Sequence, residues 1–91
     1  MLELVWEPSA TDQLAEIIDY IARDYLTAAE RLERQFHEKV ELARHVPGMG
    51  RPGRITGTRE IVVHSNYLAI YRVADDRLYL LRVLHARQRY P

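Results

Sequence analysis

Apolar residues recur at helical spacing through the first half of the chain and at strand spacing through the second, and this change of period organises the reading. Leu2, Leu4 and Trp6 alternate with Glu3 and Val5 and predict a short strand that ends at Pro8. Ser9 is placed to cap the helix that follows, with Asp12 in its first turn, where free backbone N–H groups and the helix dipole favour a carboxylate. Leu14, Ile17, Ile18, Ile21, Ala22 and Tyr25 then form one apolar stripe of an amphipathic helix. Thr27 and Glu30 match a capping box, so a second helix is expected to begin there, with the stripe Leu32, Phe36, Val40, Ala43 and Val46 and a stop at Pro47 and Gly48. The few residues separating the two patterns predict an antiparallel helical hairpin.

Residues 47 to 57 hold all four glycines and two of the four prolines, and read as a loop. Three runs of strand character follow, Thr58 to His64, Tyr67 to Val73 and Leu78 to His85, separated by Ser65-Asn66 and Asp75-Asp76. In the middle run Tyr67, Ala69, Tyr71 and Val73 share one face and Leu68, Ile70 and Arg72 the other. Apolar residues on both faces predict that one packs on the helices while the other is only partly exposed. The expected fold is α+β: an N-terminal strand, a two-helix hairpin, then a three-stranded antiparallel meander forming one sheet packed on the helices.

Composition bounds the picture further. With 91 residues, 47% apolar and 29% charged, residues 1–91 can fill one hydrophobic core and are expected to form a single domain. Such a domain buries only about 60–65% of its unfolded surface, so a bound partner would add much to its stability. The absence of cysteine removes disulfides and thiolate chemistry. His37, His45, His64 and His85 are scattered without short ligand spacing, so neither metal nor cofactor is expected. The acidic start, Met1 to Glu7, supports neither a signal peptide nor a membrane helix, and a cytoplasmic protein is the expectation.

The formal net charge of zero hides a division. Residues 1–46 hold five Lys/Arg against ten Asp/Glu, a balance of minus 5, whereas residues 47–91 hold eight Arg against three acids, a balance of plus 5. One reading is a solvated acidic helical face with ordinary strand arginines. The other is a basic sheet that meets an acidic or nucleic-acid partner.

Three strings carry a resemblance: Thr58 to Val63 (TREIVV), Asn66 to Val73 (NYLAIYRV) and Leu80 to Gln88 (LLRVLHARQ). In this order and spacing they resemble the strand signatures of the RelE/ParE toxin superfamily, as does the opening strand leading into Pro8-Ser9-Ala10. The resemblance covers essentially the whole chain. It implies an intracellular growth inhibitor, the toxin of a bacterial type II toxin–antitoxin pair, neutralised by a cognate antitoxin whose flexible segment wraps it. The residues that would bind the antitoxin are not indicated.

Two branches of the superfamily imply different chemistry. RelE-like toxins cleave messenger RNA on the ribosome, which requires a base for the ribose 2′-hydroxyl, cations for the phosphorane charge and an acid for the leaving oxygen. The candidates for that ribonuclease are Arg59, Arg82, His85, Arg87 and Tyr90. Where such strands carry a second basic residue this chain reads Glu60-Ile61, and where they place arginine after the mid-sheet tyrosine it has Leu68. ParE-like toxins inhibit DNA gyrase and need no nuclease centre, and the second and third strings look more like theirs. The ParE reading therefore leads, with no catalytic residue favoured and with His85, Arg87, Arg89 and Tyr90, within the segment His85 to Pro91, as the expected contact with the topoisomerase or its DNA. A third possibility is a non-toxic interaction domain that keeps the fold.

Each of these residues has a structural alternative. His85 ends an apolar strand and can serve as an edge residue. Tyr67, Tyr71 and Tyr79 can be packing residues in place of base-stacking platforms. Arg59 and Arg72 can pair with helix acids, Arg51 and Arg54 can serve ligand capture or solubility alone, and Trp6 reads as core.

Overall fold

The computed structural model describes residues 1–90, in the order β1 (Glu3–Trp6), α1 (Pro8–Ala22), α2 (Leu26–His45), a 3₁₀ turn (Pro47–Met49), β2 (Arg51–Pro52), β3 (Arg59–His64), β4 (Tyr67–Ala74) and β5 (Arg77–His85). The strands form one five-stranded sheet in the order β1-β5-β4-β3-β2, and the helical hairpin covers one of its faces. The predicted meander of β3, β4 and β5 is present and antiparallel, whereas β1 runs parallel to β5, so the sheet is mixed. A parallel neighbour needs a long crossover, and everything from α1 to β4 supplies it. The loop expected over residues 47–57 is partly ordered, since β2 adds an antiparallel edge to β3.

The core lies between helices and sheet. Phe36, Val40 and Ala43 from α2 and Ala10 and Leu14 from α1 meet Ile61 and Val63, Ala69 and Tyr71, and Leu78, Leu80 and Val83 from the three long strands. The two ends of the expected stripes fall outside it: Tyr25 and Val46 are exposed, because α1 ends at Ala22 and α2 at His45. Val73 is exposed as well, beyond the reach of the hairpin.

The predicted helix starts are both displaced. Glu7 is the N-cap of α1 and Pro8 takes its first turn, where a missing N–H costs nothing, so Ser9 is inside the helix and Asp12 lies beyond the first turn. The Ser9 hydroxyl instead donates to the Leu81 carbonyl at 3.1 Å, and one turn on, Gln13 Oε1 accepts the Val83 N–H at 2.8 Å. These side chains serve β5 where β1 has ended and where a bulge shifts the register with β4, between the pairs Tyr71–Leu80 and Ile70–Arg82. Helix α2 starts at Leu26 after an N-cap Tyr25 that makes no side-chain bond, so the Thr27–Glu30 capping box is not used.

The turn between β4 and β5 is built from Asp75 (φ 54°) and Asp76 (φ 61°), the paired left-handed conformation of a tight hairpin. Glycine at the second position adopts this backbone without steric cost, and the Asp76 carbonyl that receives the Glu3 N–H would be kept. Asp76→Gly is expected to stabilise the protein by about 0.5–1 kcal/mol, read as a higher urea midpoint at unchanged m-value.

Candidate target-contact surface

The sheet face turned away from the helices gathers the arginines. Register places Arg51, Glu60, Ile70 and Arg82 in one row across it, with Leu68 and Leu84 on one side of that row and Arg72 and Tyr79 on the other. Arg72 lies over the Tyr79 ring, 5.3 Å from its centroid. Arg77, on the same strand, is held above its usual pKa by Tyr79 and by Glu3, whose carboxylate it meets at 3.0 Å. Neither Arg59 nor Arg72 forms an ion pair with a helix acid.

At the centre of the row Glu60 is a buried carboxylate, 3% exposed. Its Oε1 accepts Nε and Nη2 of Arg51 at 3.3 and 3.2 Å, and its Oε2 accepts the Arg54 backbone N–H at 3.2 Å with Arg54 Nε at 3.6 Å. The two loop arginines thus both pair with a buried charge, a role not foreseen for them. A carboxylate at this depth is tolerable only when paired, and both partners come from the glycine-rich segment that precedes β3.

The C-terminal segment returns under this face. Tyr90, 7% exposed, packs on Ile70 and Leu84 in a small second apolar cluster. Arg54 Nη1 donates to the Tyr90 carbonyl at 3.1 Å, and the guanidiniums of Arg54 and Arg82 stand 5.9 and 5.3 Å from its ring centroid. Between strand and anchor the segment is folded on itself. The Ala86 N–H donates to the Asn66 carbonyl at 2.6 Å, Gln88 exchanges bonds with the backbone of His85, and the Arg87 N–H donates to His85 Nδ1 at 3.1 Å. Arg87 and Arg89 are exposed on this arch, and Pro91, the last residue of the predicted segment, lies outside the described residues.

The five residues proposed for a ribonuclease do not share one surface. Arg82 and Tyr90 occupy the open face. Arg59 belongs to the helix-facing side with Tyr71, and its Nη1 donates to the carbonyls of Gly50 (2.6 Å) and Gly48 (3.5 Å). His85 also lies on the helix side, edge-on to Tyr67 with ring centroids 5.2 Å apart. Of the tyrosines, Tyr67 and Tyr71 are packing residues, while Tyr79 is half-buried on the open face.

Sequence reasoning did not assign the Glu60–Arg51–Arg54 cluster. The available signal was Glu60 itself, an acid that opens the apolar run Ile61 to Val63. An acid buried at such a position needs cationic or N–H partners.

The helical hairpin packed on one mixed sheet is a fold shared with solved structures. A solved structure described as the chromosomal ParDE TA system from P. aeruginosa superposes with a TM-score of 0.84 over 96% of this chain and 98% of that one, at 23% identity. The family described as "ParE toxin of type II toxin-antitoxin system, parDE" matches residues 4–90, and the chain belongs to it. Among curated relatives, a putative toxin Y4kP of Sinorhizobium fredii is 38% identical, covering 94% of this chain and 90% of its own. Toxin RelE2 of Caulobacter vibrioides is 33% identical, covering 94% of this chain and 97% of its own. Among the described residues, no helix is long and apolar enough to cross a membrane.

Proposed function

We propose that this toxin inhibits growth in the cytoplasm by poisoning DNA gyrase, that its contact with the enzyme or its DNA is the arch from His85 to Tyr90 with Arg87 and Arg89 outermost, and that a cognate antitoxin neutralises it. The observation that carries this reading is the division of the candidate ribonuclease groups between the two faces of the sheet. Messenger RNA cleavage needs a base, an acid and phosphate-binding cations around one scissile bond. Here Arg59 binds loop carbonyls and Tyr90 is an anchor. The Nδ1 of His85 accepts the Arg87 N–H within the arch. A gyrase inhibitor needs none of these groups as catalysts. The antitoxin is expected to bring acidic residues to the open face, where the charge is complementary.

The test is to add the purified chain to gyrase and supercoiled plasmid and to follow protein-linked cleaved DNA and residual supercoiling. Poisoning is expected, and Arg87→Ala with Arg89→Ala should weaken it by about ten- to a hundredfold, the usual scale for one or two interfacial arginines. Intact gyrase activity, with toxicity retained in cells, would overturn the proposal and direct the search to ribosomes and messenger RNA, with His85 and Tyr90 substituted first.

A further inference from the structure

We infer that Glu60 is a positioning residue for the C-terminal contact segment, acting through Arg54 on Tyr90 to fix the backbone at Arg89. The inference rests on the reading above for its functional consequence but not for its structural one. Arg54 is the connecting element: its backbone N–H and Nε address Glu60 Oε2, while Nη1 of the same planar fork donates to the Tyr90 carbonyl and the guanidinium lies over the Tyr90 ring. The backbone hydrogen bond fixes Arg54 at the carboxylate and the 3.6 Å ion pair draws its guanidinium to the same side, which leaves Nη1 directed at the Tyr90 carbonyl. Neutralise the carboxylate and the fork is free to turn into solvent, leaving the Tyr90 carbonyl without its donor.

The segment is pinned at two places by separate means. Near β5 it is held by the Ala86–Asn66 bond and by the His85–Gln88 exchange, none of which involves Glu60. At its end it is held by Arg54, by Arg82 and by burial of the Tyr90 ring. Glu60 therefore controls the half that carries Arg89 and not the half that carries Arg87. Arg51 pairs with the same carboxylate through Oε1 and has no bond to Tyr90, which makes it an internal control.

The experiment is limited trypsin digestion of the folded full chain, with cleavage at Arg87–Gln88 and Arg89–Tyr90 followed separately by mass spectrometry. In Glu60→Gln and in Arg54→Ala the Arg89–Tyr90 bond is expected to be cut about tenfold faster or more, while Arg87–Gln88 changes by less than about threefold, as for a local opening. Arg51→Ala, which weakens an ion pair of the same carboxylate, should leave both rates near wild type. Unchanged cleavage at Arg89–Tyr90, or equal acceleration at both bonds, would overturn the inference, the second because it reports general loosening. On gyrase, Glu60→Gln is expected to weaken poisoning as much as Arg89→Ala does, with no added loss when the two are combined. If Arg89→Ala weakens poisoning and Glu60→Gln does not, the functional half of the inference fails. If selective loosening is seen and Arg89→Ala has no effect on gyrase, the target reading fails while the positioning role stands.

Discussion

Phe36→Ala is expected to lower the free energy of unfolding by about 3–5 kcal/mol, the range for emptying a buried phenylalanine site. The ring is fully buried at the centre of the helix–sheet core and meets Tyr67 edge-on, with centroids 6.4 Å apart and planes at 69°. The core around it is close-packed, so its neighbours can fill the space left by the ring only in part. A domain of this length holds about 5–14 kcal/mol in total, so the loss is between a fifth and nearly all of it. Phe36→Leu, which keeps most of the volume, should cost about half as much or less. The check is urea denaturation of both variants. If Phe36→Ala and Phe36→Leu lose the same small amount, below about 1 kcal/mol, the site collapses freely and the core is not packed as described.

How far the sequence carried this fold can be judged from particular residues. The stripe Leu32, Phe36, Val40 and Ala43 was legible because a helix repeats its facing positions, and all four are buried. The strand runs were legible for the same reason at period two. The displaced start of α1 was not, because Ser9 satisfies a local rule that a nonlocal demand overrides. The unpaired Leu81 carbonyl takes the Ser9 hydroxyl, and nothing in the local sequence shows that β5 passes there. The parallel pairing of β1 with β5 was hidden likewise, since a ladder 74 residues apart leaves no local pattern.

The candidate surface divides in a similar way. That the sheet half is arginine-rich could be counted, but what each arginine does depends on the face its strand position selects. Arg59 and Glu60 are neighbours in sequence and point to opposite sides, one to loop carbonyls and the other, a buried carboxylate, to two part-exposed arginines. The glutamate that stands where ribonuclease strands carry a second basic residue proves to be one of the groups that hold the glycine-rich segment. Arg51 and Arg54 could be read as loop charges only until the depth of Glu60 was known.

That same segment is tied to the core from its other side by Tyr71, and Tyr71→Phe is expected to cost about 2–4 kcal/mol, more than a single hydrogen bond, because two backbone groups lose their partner together. The hydroxyl donates to the Pro47 carbonyl at 2.5 Å and accepts the Gly50 N–H at 3.1 Å. Gly50 is buried, and a Cβ built there would stand 2.8 Å from the same hydroxyl, so the backbone is pressed against the tyrosine and leaves little room for water to substitute. Phenylalanine keeps the ring in the core and removes only the oxygen, which isolates the polar contribution. Losing it should free the 3₁₀ turn and β2 before the rest of the sheet, since β2 is a two-residue edge strand held otherwise only by two register pairs with β3 and by the ion pair of Arg51 with Glu60. The amide of Gly50 is therefore expected to exchange hydrogen faster by a larger factor than those of Ile70 or Val83, with the urea midpoint falling in step with the global loss. A loss below about 1 kcal/mol with Gly50 exchange unchanged would mean that the two groups find other partners. The anchoring of the glycine-rich segment would then rest on Glu60, on Arg59 and on the β2–β3 pairs.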